Sequence, residues 1–95
     1  MQMFVKFRVF ETVLGTDGRG PIGGRIKAIL ESGKVSASGV FCDGREGFFL
    51  LDVDSGEELL NLLGGGILDY ANVETHPVMS FEKLGEFFEK DAAQA

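Results

Sequence analysis

One cysteine, one histidine and nine cations against fifteen acids are all that this 95-residue chain has of several chemically active residue types. Each shortage excludes something. A lone cysteine, Cys42, excludes a disulfide within the chain and fits a reducing compartment, so a cytoplasmic location is expected. One histidine, one cysteine and carboxylates without close ligand spacing do not make a zinc site, and no metal is expected. A formal net charge of −6 repels phosphate backbones unless the cations gather on one face. They form no cluster, so nucleic acid is not an expected partner. Long apolar runs are missing too. The first ten residues, MQMFVKFRVF, are interrupted by Lys6 and Arg8. They read as neither a signal peptide nor a membrane span, and no membrane partner is expected.

What is there belongs to a globular protein. Hydrophobic residues make up 44% of the chain, and nine of them are phenylalanine. The length allows one domain over residues 1–95, which buries somewhat over ~60% of its unfolded surface. Each aromatic side chain buries roughly 150–250 Å². Nine phenylalanines in so small a chain suggest an interface or a pocket as well as a core.

Residues 2–10 alternate, with Met3, Val5, Phe7 and Val9 on one face and Phe4, Lys6, Arg8 and Phe10 on the other, which predicts a strand. Residues 11–20 are glycine-rich and read as a loop. Pro21 fits the first turn of a helix, Ile22, Ile26, Ile29 and Leu30 recur at helical spacing, and Gly33 suits its C-terminal cap. Residues 34–42 and 48–54 read as two strands. Asp43-Gly44 between them signals a hairpin, and Gly47 is available for a bulge or a longer loop. Ser55 and Glu58 form a capping box ahead of Leu59, Leu60, Leu62 and Leu63, a second helix that Gly64, Gly65 and Gly66 are expected to stop. A last strand is centred on Asn72 to Val78. Ser80 then caps a terminal helix with Phe81, Leu84, Phe87 and Phe88 on one face, followed by a frayed tail at 91–95.

This order, β-α-β-β-α-β with a C-terminal helix, is the α+β ferredoxin-like plan, whose antiparallel sheet has strand order 4-1-3-2. Pro77 cannot donate to a ladder, and the plan places its strand on an edge. Both helices cover one face of the sheet. The other face would carry Phe4, Phe10 and half of FFLLDV against water, so a homodimer packed through that open face is expected. The alternative is a monomer whose C-terminal helix folds over it.

The stretches GVFCDGREGFFLLDVDSGEELLNLL and YANVETHPVMS resemble the dimeric α/β barrels, the superfamily of muconolactone isomerase and the small antibiotic-biosynthesis monooxygenases. More narrowly they are similar to a family of short proteins near that superfamily, with a G-x-x-x-x-G-x-G-F hairpin, an acidic strand end with a helix after it, and a closing T-P-V. Here the closing element is Thr75-His76-Pro77-Val78, with His76 inserted. The resemblance covers about the C-terminal two-thirds, and the glycine-rich segment before it departs from the pattern. It implies a dimeric α/β barrel and assigns no catalytic residue.

Gly18, Gly20 and Gly23 match G-x-G-x-x-G, but the first falls several residues beyond the strand and an antiparallel hairpin follows. A dinucleotide is therefore not expected, and no other cofactor is called for. Arg19 and Arg25 flank the start of the first helix and are candidates for holding a carboxylate or phosphate; a surface loop explains them as well. On the first and last strands, Lys6 and Arg8 are placed to share a face with Glu74 and His76. One reading makes His76 and Glu74 catalytic proton carriers while Lys6 and Arg8 bind an anionic substrate. The other makes the four a set of cross-strand ion pairs. Tyr70 is a candidate for a pocket mouth, and Cys42 has no motif partner to make it a nucleophile.

Three functions follow from these readings. The first is a cytoplasmic homodimer binding a small organic or anionic ligand. The second is an isomerase or cofactor-independent monooxygenase of the muconolactone isomerase-like kind. The third is a structural or protein-interaction module. A closed, polar-lined cavity between sheet and helices would favour the enzyme, and a filled interior with an exposed apolar patch would favour the interaction module.

Overall fold

The computed structural model describes residues 1–10 and 19–94, the side chains of Arg19 and Gln94 excepted. The expected loop lies mostly in residues 11–18, and with Gly18 it falls outside the described residues. The elements are β1 (Gln2–Val9), α1 (Arg19–Glu31), β2 (Val35–Val40), β3 (Glu46–Asp52), α2 (Gly56–Leu68), β4 (Ala71–Val78) and α3 (Phe81–Gln94). The four strands form one antiparallel sheet in the order β2-β3-β1-β4. This is the ferredoxin-like βαββαβ arrangement with an added C-terminal helix. Pro77 does sit on an edge strand, where its missing N–H costs no ladder bond.

Alternation decides which side of the sheet is buried. Met3, Val5 and Phe7 of β1 and Phe49 and Leu51 of β3 face the core with Ile29 of α1 and Leu59, Leu63 and Ile67 of α2. The Phe7 ring stacks on Phe49 at a centroid separation of 5.6 Å. Phe7 faces Gly47 across the ladder, and a Cβ on Gly47 would stand 2.8 Å from the Phe7 ring and 2.9 Å from the Gly39 carbonyl oxygen. A strand glycine here makes room for an aromatic neighbour and forms no bulge. The register irregularity lies instead in β2, between Val35 and Ala37.

Local chemistry sets the element ends. Ser55 caps α2, its hydroxyl accepting from the Glu58 N–H at 3.1 Å, while the Glu58 carboxylate accepts from the Asp54 N–H at 3.0 Å. Gly33, at φ +78°, follows α1 closely and turns the chain into β2. The hairpin spans five residues, 41–45, between β2 and β3. The Asp43 carboxylate accepts from the Arg45 N–H at 3.0 Å, and Gly44 adopts φ +72°.

Arg19 and Gly20 belong to α1 and not to the expected loop, Pro21 falls in the first turn as expected, and the glycine stop of α2 is corrected. α1 begins at Arg19, so Pro21 is its third residue, still within the first turn where a missing N–H is harmless. The glycines of residues 64–66 do not stop α2 but kink it: Gly64 has φ 59° and ψ 176°, and the helix resumes to Leu68. The reason is contact with α1. A Cβ on Gly66 would lie 2.6 Å from the Pro21 carbonyl oxygen, and the Arg25 side chain packs over Gly64. The glycines let two helices approach closely.

α3 stands apart from this body. It begins two residues after β4, with Ser80 capping it through the Lys83 N–H at 3.1 Å, and it is helical through Gln94, including most of the expected tail. Among its described side chains only Leu84 is even half-buried. The chain measures 57 × 24 × 18 Å, with a radius of gyration of 16.3 Å. A compact domain of this length has about 12 Å.

Candidate functional site

Among the described residues the sheet has one face covered by helices and one open face. On the open face the register pairs Lys6 with Glu74, Phe4 with His76, and Arg8 with Glu46. The strands thus bring Lys6, Arg8, Glu74 and His76 onto one surface. Lys6 Nζ lies 3.1 Å from Glu46 and 3.8 Å from Glu74, Arg8 lies 3.2 Å from Asp43 and 3.5 Å from Glu46, and His76 Nε2 lies 3.8 Å from Glu74. Each cation of the set therefore already faces carboxylates. Glu74 and His76 are exposed to solvent.

Beside this polar row lies an aromatic one. Phe4 stacks on Phe48 at 5.7 Å, Phe41 reaches Phe48 at 6.4 Å, and the His76 ring lies 6.5 Å from Phe4. Leu50 is opposite Phe4 and completes an apolar half of the face. Phe4, Phe48 and Leu50 are only half-buried, and their shelter comes from one another.

The ion pairs shape the response to pH. The Arg45 backbone N–H, and then the Arg8 guanidinium, hold the Asp43 carboxyl below its ordinary value of 3.8. Glu58 is likewise lowered, first by the Asp54 N–H and then by Lys34. The hydrogen bond that Lys6 donates to Glu46, with the charges of Glu46 and Glu74, raises Lys6 above 10.5. A lowered carboxylate stabilises the fold above its unfolded pKa, and the gain is lost as pH falls through the folded value. A raised lysine stabilises below its unfolded pKa, and that gain is lost as pH rises through the folded value. Thermal melts should thus show a plateau between about pH 5 and pH 10, with acid weakening beginning below about pH 4. Asp43→Asn should shrink the acid limb; an unchanged limb would show that the Asp43 charge contributes nothing.

The covered side contains a pocket of about 290 Å³ between α1 and the β2–β3 edge. Phe7 and Phe49 form its floor, Ile22, Ile26 and Leu30 its helical wall, and Val40 part of its rim. It exists because β2 turns Ser38 toward α1 here, a side chain too small to meet the helix, while Gly39 faces Phe48 on the other side of the sheet. Among the described residues Glu46 is its one charged lining residue, and that carboxylate is tied to Lys6 and Arg8. The helical spacing of Ile22, Ile26 and Ile29 predicts an apolar helix face and gives no sign of a gap beneath it. The short side chains of VSASG were the available sign of it.

The remaining candidates are scattered. Arg25 lies in the middle of α1, packed on Gly64, with its Nε buried and without a hydrogen-bond partner among the described residues. The side chain of Arg19 is outside the described residues. Tyr70 is half-buried at the start of β4, where its carbonyl accepts from the Phe10 N–H at 2.9 Å. Cys42 is exposed in the hairpin loop. Among the described residues no group of three His, Cys, Asp or Glu side chains is placed to hold a metal, and no helix is long and apolar enough to cross a membrane. No protein-family model matches the chain, and no curated protein is significantly similar to it.

Proposed function

We propose that the chain works as a homodimer joined through the open face of its sheet, each protomer holding a small uncharged organic molecule beneath α1. The observation that carries the assembly is the aromatic half of the open face. Phe4, Phe48, Phe41 and Leu50 form a contiguous apolar surface with a charged row along one side, the composition of an interface with an apolar core and a polar rim. The pairing of Lys6 and Arg8 with carboxylates of their own chain supports a role in that rim over the capture of an anionic substrate. Light scattering coupled to size exclusion tests this. Twice the chain mass is expected, and a mass of one chain at every concentration would sink it.

The pocket supports the ligand. Its lining of Phe, Ile, Leu and Val suits a one- or two-ring or short aliphatic molecule, at the small end of ligand sites, which start near ~300 Å³. An isomerase or monooxygenase of the muconolactone isomerase-like kind would need a proton-moving group facing the substrate. His76 is on the other side of the sheet, and Glu46 is engaged by two cations, so binding is the better-supported role. Neutral 1-aminonaphthalene should bind saturably with enhanced fluorescence, and Ile22→Trp, which fills the pocket from a partly exposed position, should abolish this. Enhancement that survives Ile22→Trp would place the dye elsewhere and remove the pocket from the proposal.

A further inference from the structure

Six of the nine phenylalanines lie outside the core of the domain and its edge at Phe10: Phe4, Phe41 and Phe48 on the open side of the sheet, and Phe81, Phe87 and Phe88 on α3. Phe81 is 90% exposed, Phe87 59% and Phe88 57%. The two apolar surfaces are continuous along the chain. The apolar half of the open face, Phe4 and Leu50, lies at the end of the sheet where β4 finishes, since Gln2 pairs with Val78. From there exposed Val78 and Met79 lead directly into Phe81.

We infer that, in the homodimer proposed above, on which this inference rests, α3 of each protomer crosses onto the open sheet face of the other. There its Phe81, Leu84 and Phe88 stripe covers Phe4 and Phe48. Three features favour a second copy as the occupant. Only Met79 and Ser80 join β4 to α3, and Ser80 is fixed as the helix cap, so the helix continues outward from the sheet and lengthens the molecule to 57 Å. Each chain carries both halves of the contact, an aromatic face and an apolar helix, as a self-complementary two-fold interface requires. The area also fits. A face of four strands, up to eight residues long, offers roughly 400–500 Å². A stable interface needs about 800 Å² per partner. A helix of 14 residues, about 21 Å long, supplies a large part of the difference.

The test uses the full chain, with Cys42→Ser to remove the native thiol. Chains spin-labelled at Ala92→Cys, on the stripe of α3, are mixed with isotope-labelled chains carrying no spin label. Amide signals of Phe4, Phe48 and Leu50 in the isotope-labelled chain should be lost, because the label reaches them only across the dimer. In parallel, Phe81→Asp with Phe88→Asp should lower the mass from two chains to one without altering the fold of the separated protomer. Unaffected signals in a protein that is still two chains by mass would overturn the helix exchange and leave the sheet-face dimer standing. Signal loss only when both labels share a chain would show α3 folding onto its own sheet and would also overturn it. A wild-type mass of one chain would remove both proposals.

Discussion

Gly66→Val is expected to destabilise the domain by about 3 kcal/mol, read as a lowered urea midpoint with an unchanged slope. In an open helix the loss of a glycine is stabilising, by up to about 1 kcal/mol when alanine replaces it. At Gly66 the sign reverses because of what lies opposite. A Cβ there would stand 2.6 Å from the Pro21 carbonyl oxygen and 2.9 Å from the Arg25 Cβ. A carbonyl of helix backbone cannot rotate aside as a flexible side chain would, so α1 must lift away from α2. Gly23→Ala is the matched control. Gly23 lies in α1 with open space around the site of a Cβ, and the substitution should stabilise by up to about 1 kcal/mol. Equal effects of the two substitutions would disprove the close helix contact.

That contact also accounts for the pocket. α1 is drawn toward α2 by the kinked glycine run, while on its other side Ser38 of β2 is too short to reach it. The helix cannot close on both neighbours. The space between Ile22, Ile26 and the Phe7–Phe49 pair is the consequence, and it is apolar because Ile26, Phe7 and Phe49 also serve the core.

Much of this was legible in the chain, and the exceptions have identifiable causes. Alternation in QMFVKFRVF separated the two faces of the sheet, because one residue of slippage would expose Val5. Pro77 identified the edge, and Ser55 with Glu58 the start of α2. The order of the strands then made the strands of Lys6 and Glu74 neighbours, and the register that sets the two opposite each other came only with the structure. The role of the glycines at 64–66 was not legible. Whether a glycine ends a helix or admits a neighbour depends on what packs against it, here Pro21 some forty residues earlier in the chain. The pocket was hidden for a similar reason: a helical stripe of isoleucines has the same appearance over a filled core as over a gap. The partners of Lys6 and Arg8 were only half visible, since Glu46 and Asp43 reach them through β3 and the hairpin loop and not through the last strand.

Phe49→Ala should be the most damaging single truncation on the pocket floor, costing about 3–5 kcal/mol. Phe49 is 2% exposed, and its ring stacks on Phe7, which in turn lies over Gly47. Removing it would join a new void to a pocket already present, with no large neighbour on β2 to move in. A domain of this length has in total about 5–14 kcal/mol of stability. The variant should therefore melt at least 12 °C lower, given about 4–8 °C per kcal/mol for a small domain. Phe49→Leu separates the two duties of the residue. It keeps most of the volume, should cost no more than about 1.5 kcal/mol, and widens the pocket by the lost part of the ring. If the pocket holds a ligand, Phe49→Leu should remain folded yet change the preferred ligand toward bulkier molecules. A Phe49→Ala protein that melts with the wild type would show that the Phe7–Phe49 stack does not hold the sheet to its helices, and the pocket floor would then have to be redrawn.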